Sequence, residues 1–211
     1  MNRLITPFRN EDANIRLQAA LAAGTDPIVE DVPVLIDQCR TVPDFFVRDM
    51  LTWALTRHPG NITVPLLFEE LHSSVAQARA QALHTLSKIA TKDGGRWTAA
   101  IWEELTDDLL SDHDDEVARA AWRTAAGVAP ESERTTLATR LSIHLGRGDR
   151  EVRRSLSRAF LDLGEQARPA LEAVTGAPQA RLHARATLLL LDDPGLGFDV
   201  AEYAAADQGT S

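Results

Sequence analysis

Aspartate and arginine are the residue types with most chemistry to offer along this chain, and they recur together. Pairs four residues apart stand at Asp12/Arg16, Asp44/Arg48, Asp115/Arg119 and Asp149/Arg153. Ser74 precedes Arg79 in one further copy, and Gln179 precedes His183 in a worn last one. A guanidinium carries its donors in a planar fork that suits carboxylate or phosphate, so a row of arginines could grip an anion. Aspartates at matching spacing favour a structural use instead. Each carboxylate can accept from the free N–H groups of a helix start, and the arginine one turn on lies within its reach. The ladder Asp12, Arg16, Asp44, Arg48, Arg79, Asp115, Arg119, Asp149 and Arg153 is therefore expected to fix helix ends and stacking.

Arginines beyond the ladder point to binding. Residues 131–168 carry eight basic and six acidic side chains, net +2, in a chain whose overall charge is −9. Arg150, Arg154 and Arg158 follow an i, i+4, i+8 line and so share one helix face. Arg147 sits just before them, and Arg123 lies on an earlier helix. Arg123, Arg150, Arg154 and Arg158 make a candidate partner-binding strip for an acidic peptide or a phosphate, with Trp122 nearby as an aromatic anchor. The balancing acids, Glu151 and Asp162, allow the plainer reading of a solvated face. Packing is the default for the other tryptophans, Trp53, Trp97 and Trp102.

Other candidate chemistry is thin. The run Asp107–Glu116 invites a calcium loop, but a sixth-position glycine and a twelfth-position glutamate are required. Counted from Asp112, those positions hold Val117 and Arg123. His113 alone is too little for zinc. Glu69 and His72 form half of a di-iron pattern, and nothing completes it. The single cysteine, Cys39, can build neither an internal disulfide nor a thiolate cage. Nucleophile-elbow, phosphate-loop and dinucleotide signatures are missing. No catalytic residue, metal or cofactor is expected.

The recurring pairs need helices to position them. At intervals of about 30 to 40 residues the chain repeats itself, the signature of stacked helix pairs. In residues 44–55, positions 47, 50, 51, 54 and 55 fall on one face. In 149–163, Val152, Leu156, Ala159, Phe160 and Leu163 do the same. Gly24, Gly127 and Gly164 are placed to stop three of these second helices. First helices are expected at 32–40, 62–71, 97–110, 133–145 and 165–174. Pro33, Pro65 and Pro169 stand near the starts of three, where a missing N–H costs little. Met1–Phe8 reads as a short lead-in, and Thr91–Arg96 as an insertion. After Asp193-Pro194-Gly195 the period stops, leaving 195–211 as a cap-like segment and a frayed tail.

The proline-bearing first helix and the Asp-x-x-Val-Arg start of the second resemble the HEAT repeat family, especially the short bacterial HEAT-like repeats also found in phycobilisome-lyase-type proteins. The start reads Asp12-Ala13-Asn14-Ile15-Arg16, Asp44-Phe45-Phe46-Val47-Arg48 and Asp149-Arg150-Glu151-Val152-Arg153. The resemblance implies an all-α, right-handed α-solenoid of about five to six helix pairs over residues 1–194. It also implies that second helices line a concave groove, placing the arginine strip inside the curve.

Two functions of different class follow. One is a non-catalytic scaffold or adaptor that binds an acidic or phosphorylated protein in the groove. The other, implied by the architecture of HEAT-like enzymes, is a DNA glycosylase acting on alkylated bases. A net charge of −9 with only two lysines disfavours a general grip on nucleic acid or anionic lipid. A bilin lyase-like or chaperone-like subunit rests on fold analogy alone. Nothing in Met1–Arg16 has the apolar stretch of a signal peptide, and no segment has the roughly 20 apolar residues of a membrane span. A soluble cytoplasmic protein is the expectation.

Overall fold

The computed structural model describes residues 2–207, and every regular element among them is helical. Met1, the first residue of the expected lead-in, and residues 208–211 of the expected tail lie outside the described residues. The chain divides into two compact units, Met1–Glu104 and Leu105–Ser211. Among the described residues no helix is long and apolar enough to cross a membrane.

The first unit contains α1 (Ile5–Phe8), α2 (Ala13–Thr25), α3 (Val32–Thr41), α4 (Phe45–Arg57), α5 (Gly60–Leu71), α6 (Ala76–Lys92) and α7 (Thr98–Glu103). Helix α2 packs on α4 and α4 on α6, while α3 and α5 pack against them. Leu51, Leu55, Leu83 and Leu86 are fully buried, each worth roughly 1.5–3 kcal/mol of apolar burial. The second unit contains α8 (Asp107–Leu110), α9 (Asp115–Val128), α10 (Arg134–Ser142), α11 (Arg150–Leu163), α12 (Arg168–Glu172), α13 (Pro178–Asp192) and α14 (Phe198–Asp207). Here α9 packs on α11 and α11 on α13, with α10 against α9, α11 and α12. The segment expected as a cap is helix α14. It buries Phe198, Ala201 and Ala205 against Ala186 and Leu190 of α13.

The aspartates cap as expected. Asp12 accepts from the Asn14 N–H at 2.8 Å, Asp44 from Val47 at 3.0 Å and Asp149 from Val152 at 3.0 Å. The arginines do something else. Arg16 Nη1 donates to the carbonyls of Asn10 and Glu11, and Arg48 Nη1 to those of Val42 and Pro43. Arg79 Nη1 reaches the Ser73 carbonyl at 2.8 Å, and Arg153 Nη1 the Gly148 carbonyl at 3.1 Å. The expected pairing of Arg16, Arg48 and Arg153 with their own capping carboxylates is thus replaced by a tie to the loop before the helix. Helical side chains lean toward the N-terminus. An arginine four residues past the cap is therefore carried back over it, onto carbonyls that have no helical partner.

Three copies are out of the register expected from sequence. In the fourth, the cap is Asp114, which accepts from the N–H groups of Glu116 and Val117. Asp115 is the first helical residue and pairs with Arg147 at 2.8 Å. The ladder position then falls on buried Ala118, and Arg147 supplies the missing tie by donating to the Asp112 carbonyl at 2.5 Å. In the third copy, Val75 occupies the cap, and Ser73 rather than Ser74 accepts the Val75 N–H. In the last, Ala177 is the cap and Arg181 holds the Gly176 carbonyl, so Arg181 and not His183 is the ladder residue.

Other boundaries also move. The expected helix 97–110 breaks into α7 and α8, because the Thr106 hydroxyl accepts the Leu109 N–H and starts a new helix. Pro65 lies inside α5 rather than in its first turn. Gly164, with φ 68°, ends α11 as expected. Gly127 lies within α9. Gly24 lies within α2 because the Trp53 ring and the Ala54 Cα of α4 sit where its Cβ would be.

The same polar pin recurs in both units. Thr52 of α4 meets Thr85 of α6 at 3.4 Å and receives the Gln81 amide at 2.6 Å. Ser157 of α11 meets Thr187 of α13 at 2.7 Å and His183 at 2.9 Å. Counted from their caps, the three residues hold equivalent positions in the two units.

Two stability measurements check this account. Asp44→Ala and Asp149→Ala should each lower the unfolding free energy by about 1 kcal/mol in denaturant titration; parent-like midpoints for both would remove the capping role. Gly24→Ala gains roughly 1 kcal/mol of helix propensity, yet it should destabilise, because its methyl meets Trp53 and the α4 backbone. A more stable Gly24→Ala protein would contradict the close approach of α2 and α4.

Candidate anion-binding strip

Helix α11 carries the expected arginines, but they divide into two sets. Arg150 pairs with Asp199 at 2.6 Å and lies 3.6 Å from Glu202, both on α14. Arg153 donates to the same Glu202 at 3.0 Å. Helix α14 thereby neutralises the start of α11, and Arg150 drops out of the candidate strip. Further along, Arg154 has 63% of its side chain exposed, with only a 3.9 Å approach to Glu151. Arg158 is exposed as well.

Trp122 is not on the strip. It is fully buried, with its indole N–H donated to the Leu110 carbonyl at 2.8 Å. His144 packs 5.6 Å from its ring, and the Arg147 guanidinium lies 5.8 Å from its centroid. The aromatic expected as an anchor is a core post that holds α8 against α9. Its neighbour Arg123 is exposed.

Moving the fourth cap from Asp115 to Asp114 changes the site. Asp114-Asp115-Glu116-Val117 now aligns with Asp149-Arg150-Glu151-Val152. Glu116 matches Glu151, Arg119 matches Arg154, and Arg123 matches Arg158. Arg119 therefore leaves the ladder and joins the strip, where it pairs with Glu116 at 2.8 Å. The Glu-Val pair after each cap, Glu116-Val117 and Glu151-Val152, is the signal in the sequence, and the arginine spacing alone does not carry it. The starts of α9 and α11 lie side by side, because Arg147, just before α11, bonds Asp112 and Asp115 at the start of α9. With the helices packed along one another, equivalent positions stand at similar heights. Among the described residues, the Arg123 and Arg158 side chains form no hydrogen bond or ion pair.

The remaining chemistry-bearing groups have other uses. In the acidic run, Asp107 holds Arg140 at 2.7 Å, Asp112 accepts the Asp114 N–H, Asp114 caps α9 and Asp115 holds Arg147. His72 is mostly exposed and lies 4.0 Å from Glu104, not beside Glu69 in a metal cage. Cys39 is buried, which pushes its thiol up to about 12 and leaves no thiolate at neutral pH. Phe45 and Phe46 open α4 with 66% and 72% exposure and touch edge to face at 5.8 Å.

Ser157 and His183 stand at hydrogen-bond distance, the spacing of a nucleophile and its base, but both are 1% exposed. Their bonds fix their roles. The Gly146 N–H donates to Nδ1 at 3.0 Å, so the ring proton sits on Nε2 and goes to Ser157. Ser157 then donates to Thr187, which donates to the His183 carbonyl. The hydroxyl proton points away from the imidazole, so this is a structural pin.

No family model matches the chain, and no curated protein matches it either.

Burial pushes His183 down to about 4, below the roughly 6.5 of an unfolded histidine. The unfolded chain then binds the extra proton in this window. The stabilisation is complete above about pH 6.5 and is lost as pH falls toward 4. At 1.36 kcal/mol per pKa unit the loss is roughly 3 kcal/mol. Gln81 fills the equivalent position in the first unit without titrating, so His183→Gln should keep the pin and flatten the profile. Denaturant midpoints at pH 7 and pH 4.5 check this; an equal drop in both proteins would show that His183 is not the sensitive group.

Proposed function

We propose that this chain is a HEAT-like helical-repeat module that binds an anionic segment of another protein through Arg119, Arg123, Arg154 and Arg158. Support for the repeat reading comes from the recurring cap and loop-tying arginine, and from polar pins at equivalent positions of α4/α6 and α11/α13. Repeat arrays bind through extended surfaces and need no catalytic group. A single observation carries the binding reading. Arg123 and Arg158 are exposed on adjacent helices without a partner among the described residues, whereas the ladder arginines around them are tied down. Guanidinium groups left open to water are available for fork-like contacts to carboxylate or phosphate.

The test is a charge reversal with a defined panel of peptides carrying either glutamate runs or phosphoserine. At least one class should bind the parent, more weakly as salt is raised, and Arg123→Glu with Arg158→Glu should abolish that binding. Exposed charges contribute little to stability, so the double variant should melt within a degree or two of the parent. Failure of both classes to bind, or binding that survives the reversal, would refute the proposal.

A further inference from the structure

We infer that the strip takes one compact dianion, a phosphate monoester on a side chain of the partner protein, clasped between Arg123 and Arg158. This rests on the protein-binding reading above and narrows it.

The argument begins with where the strip is already neutralised. Along α11 the exposed line runs Glu151, Arg154, Arg158, Asp162. Acid stands at both ends, and the line sums to zero. Along α9 the matching line runs Glu116, Arg119, Arg123 and then Gly127, with Arg119 half-buried and the others exposed. Arg119 is held by Glu116 at 2.8 Å, and Arg154 is approached by Glu151 at 3.9 Å. An acidic peptide laid along either helix would meet Glu116 or Glu151 at one end, and on α11 Asp162 at the other. Like charges at such range repel. The two lines together carry one net positive charge, and the two guanidinium groups that no carboxylate holds, Arg123 and Arg158, stand one on each helix.

Geometry favours the same ligand. Packed helices have axes about 8–10 Å apart, a gap that two long arginines at equivalent heights can close from both sides. A carboxylate has one charge and two oxygens, enough for a single guanidinium fork. A phosphate monoester carries about −1.5 to −2 at neutral pH and presents three acceptor oxygens, so it can accept from two forks at once. Gly127, one turn beyond Arg123, is exposed, and nothing lies within 4 Å of where its Cβ would stand. The backbone of a bound peptide has room there.

The test uses the full chain and three libraries of short peptides with randomised flanks. Their fixed central residue is phosphoserine, aspartate or serine, and inorganic phosphate alone is the fourth probe. Phosphoserine peptides should bind at least about tenfold tighter than aspartate peptides, and serine peptides not measurably. Arg123→Gln and Arg158→Gln should each weaken phosphopeptide binding about tenfold or more without changing the melting temperature. Affinity should also fall from pH 7.5 to 5.5, as the phosphate takes up its second proton near pH 6. Equal binding of aspartate peptides would overturn the inference and leave the protein-binding reading standing. Inorganic phosphate bound as tightly as phosphopeptide would overturn the claim that a partner carries it. Unchanged binding by both glutamine variants would move the phosphate away from these arginines, and binding by none of the peptides would overturn both readings.

Discussion

The arginine that reaches back from the first turn of a helix to the loop before it is the interaction on which the rest of the structure depends. A loop between two helices leaves carbonyls with no helical partner, and such groups are satisfied by side chains or by water. Arg16, Arg48, Arg79, Arg153 and Arg181 each place a guanidinium on those carbonyls. The capping aspartate, where present, holds the first N–H groups from the other side. Loop and helix start are thus fixed as one piece, and the angle at which successive helices leave their loops is set. Where Ala118 interrupts the series, Arg147 reaches in from the next loop and satisfies the Asp112 carbonyl. The requirement belongs to the carbonyl, and the chain meets it from whichever side has an arginine.

That constraint also separates structural from available charge. Positions one residue apart on a helix point about 100° apart, so a ladder arginine faces the loop while its neighbour faces solvent. Arg153 and Arg154 are adjacent in sequence, yet one is tied to Gly148 and Glu202 and the other is mostly exposed. The acidic helix α14 then removes Arg150. What remains open is a small patch on α9 and α11, defined as much by the carboxylates beside it as by its arginines.

Between the second helices, the polar pins hold the lateral register. In α4/α6 the pin uses Gln81 and in α11/α13 it uses His183, two side chains that can each accept one bond and donate another. The histidine puts a titratable group into the pin of the second unit, where the first uses an amide that does not titrate. On α9 the equivalent position is Trp122, which carries no hydroxyl and donates its N–H to the Leu110 carbonyl of α8 instead.

The sequence alone was enough to define an all-helical chain, the periodic cap-and-arginine starts and the buried face of α11. These follow from spacings of three and four residues, which a helix turns directly into neighbours. It also marked the basic stretch that contains Arg154 and Arg158. Tertiary structure decided which arginines are free. Whether Arg119 belongs to the ladder or the strip depends on one residue of register at Asp114, and a helix start is set by which carboxylate meets the backbone N–H groups. The loss of Arg150 to Asp199 and Glu202 depends on α14 folding back, a contact between residues about 50 apart in sequence. The burial of Trp122 depends on the Leu110 carbonyl of a short helix that the sequence pattern had merged into a longer one. Local periodicity carries no record of such meetings, because they are made by packing.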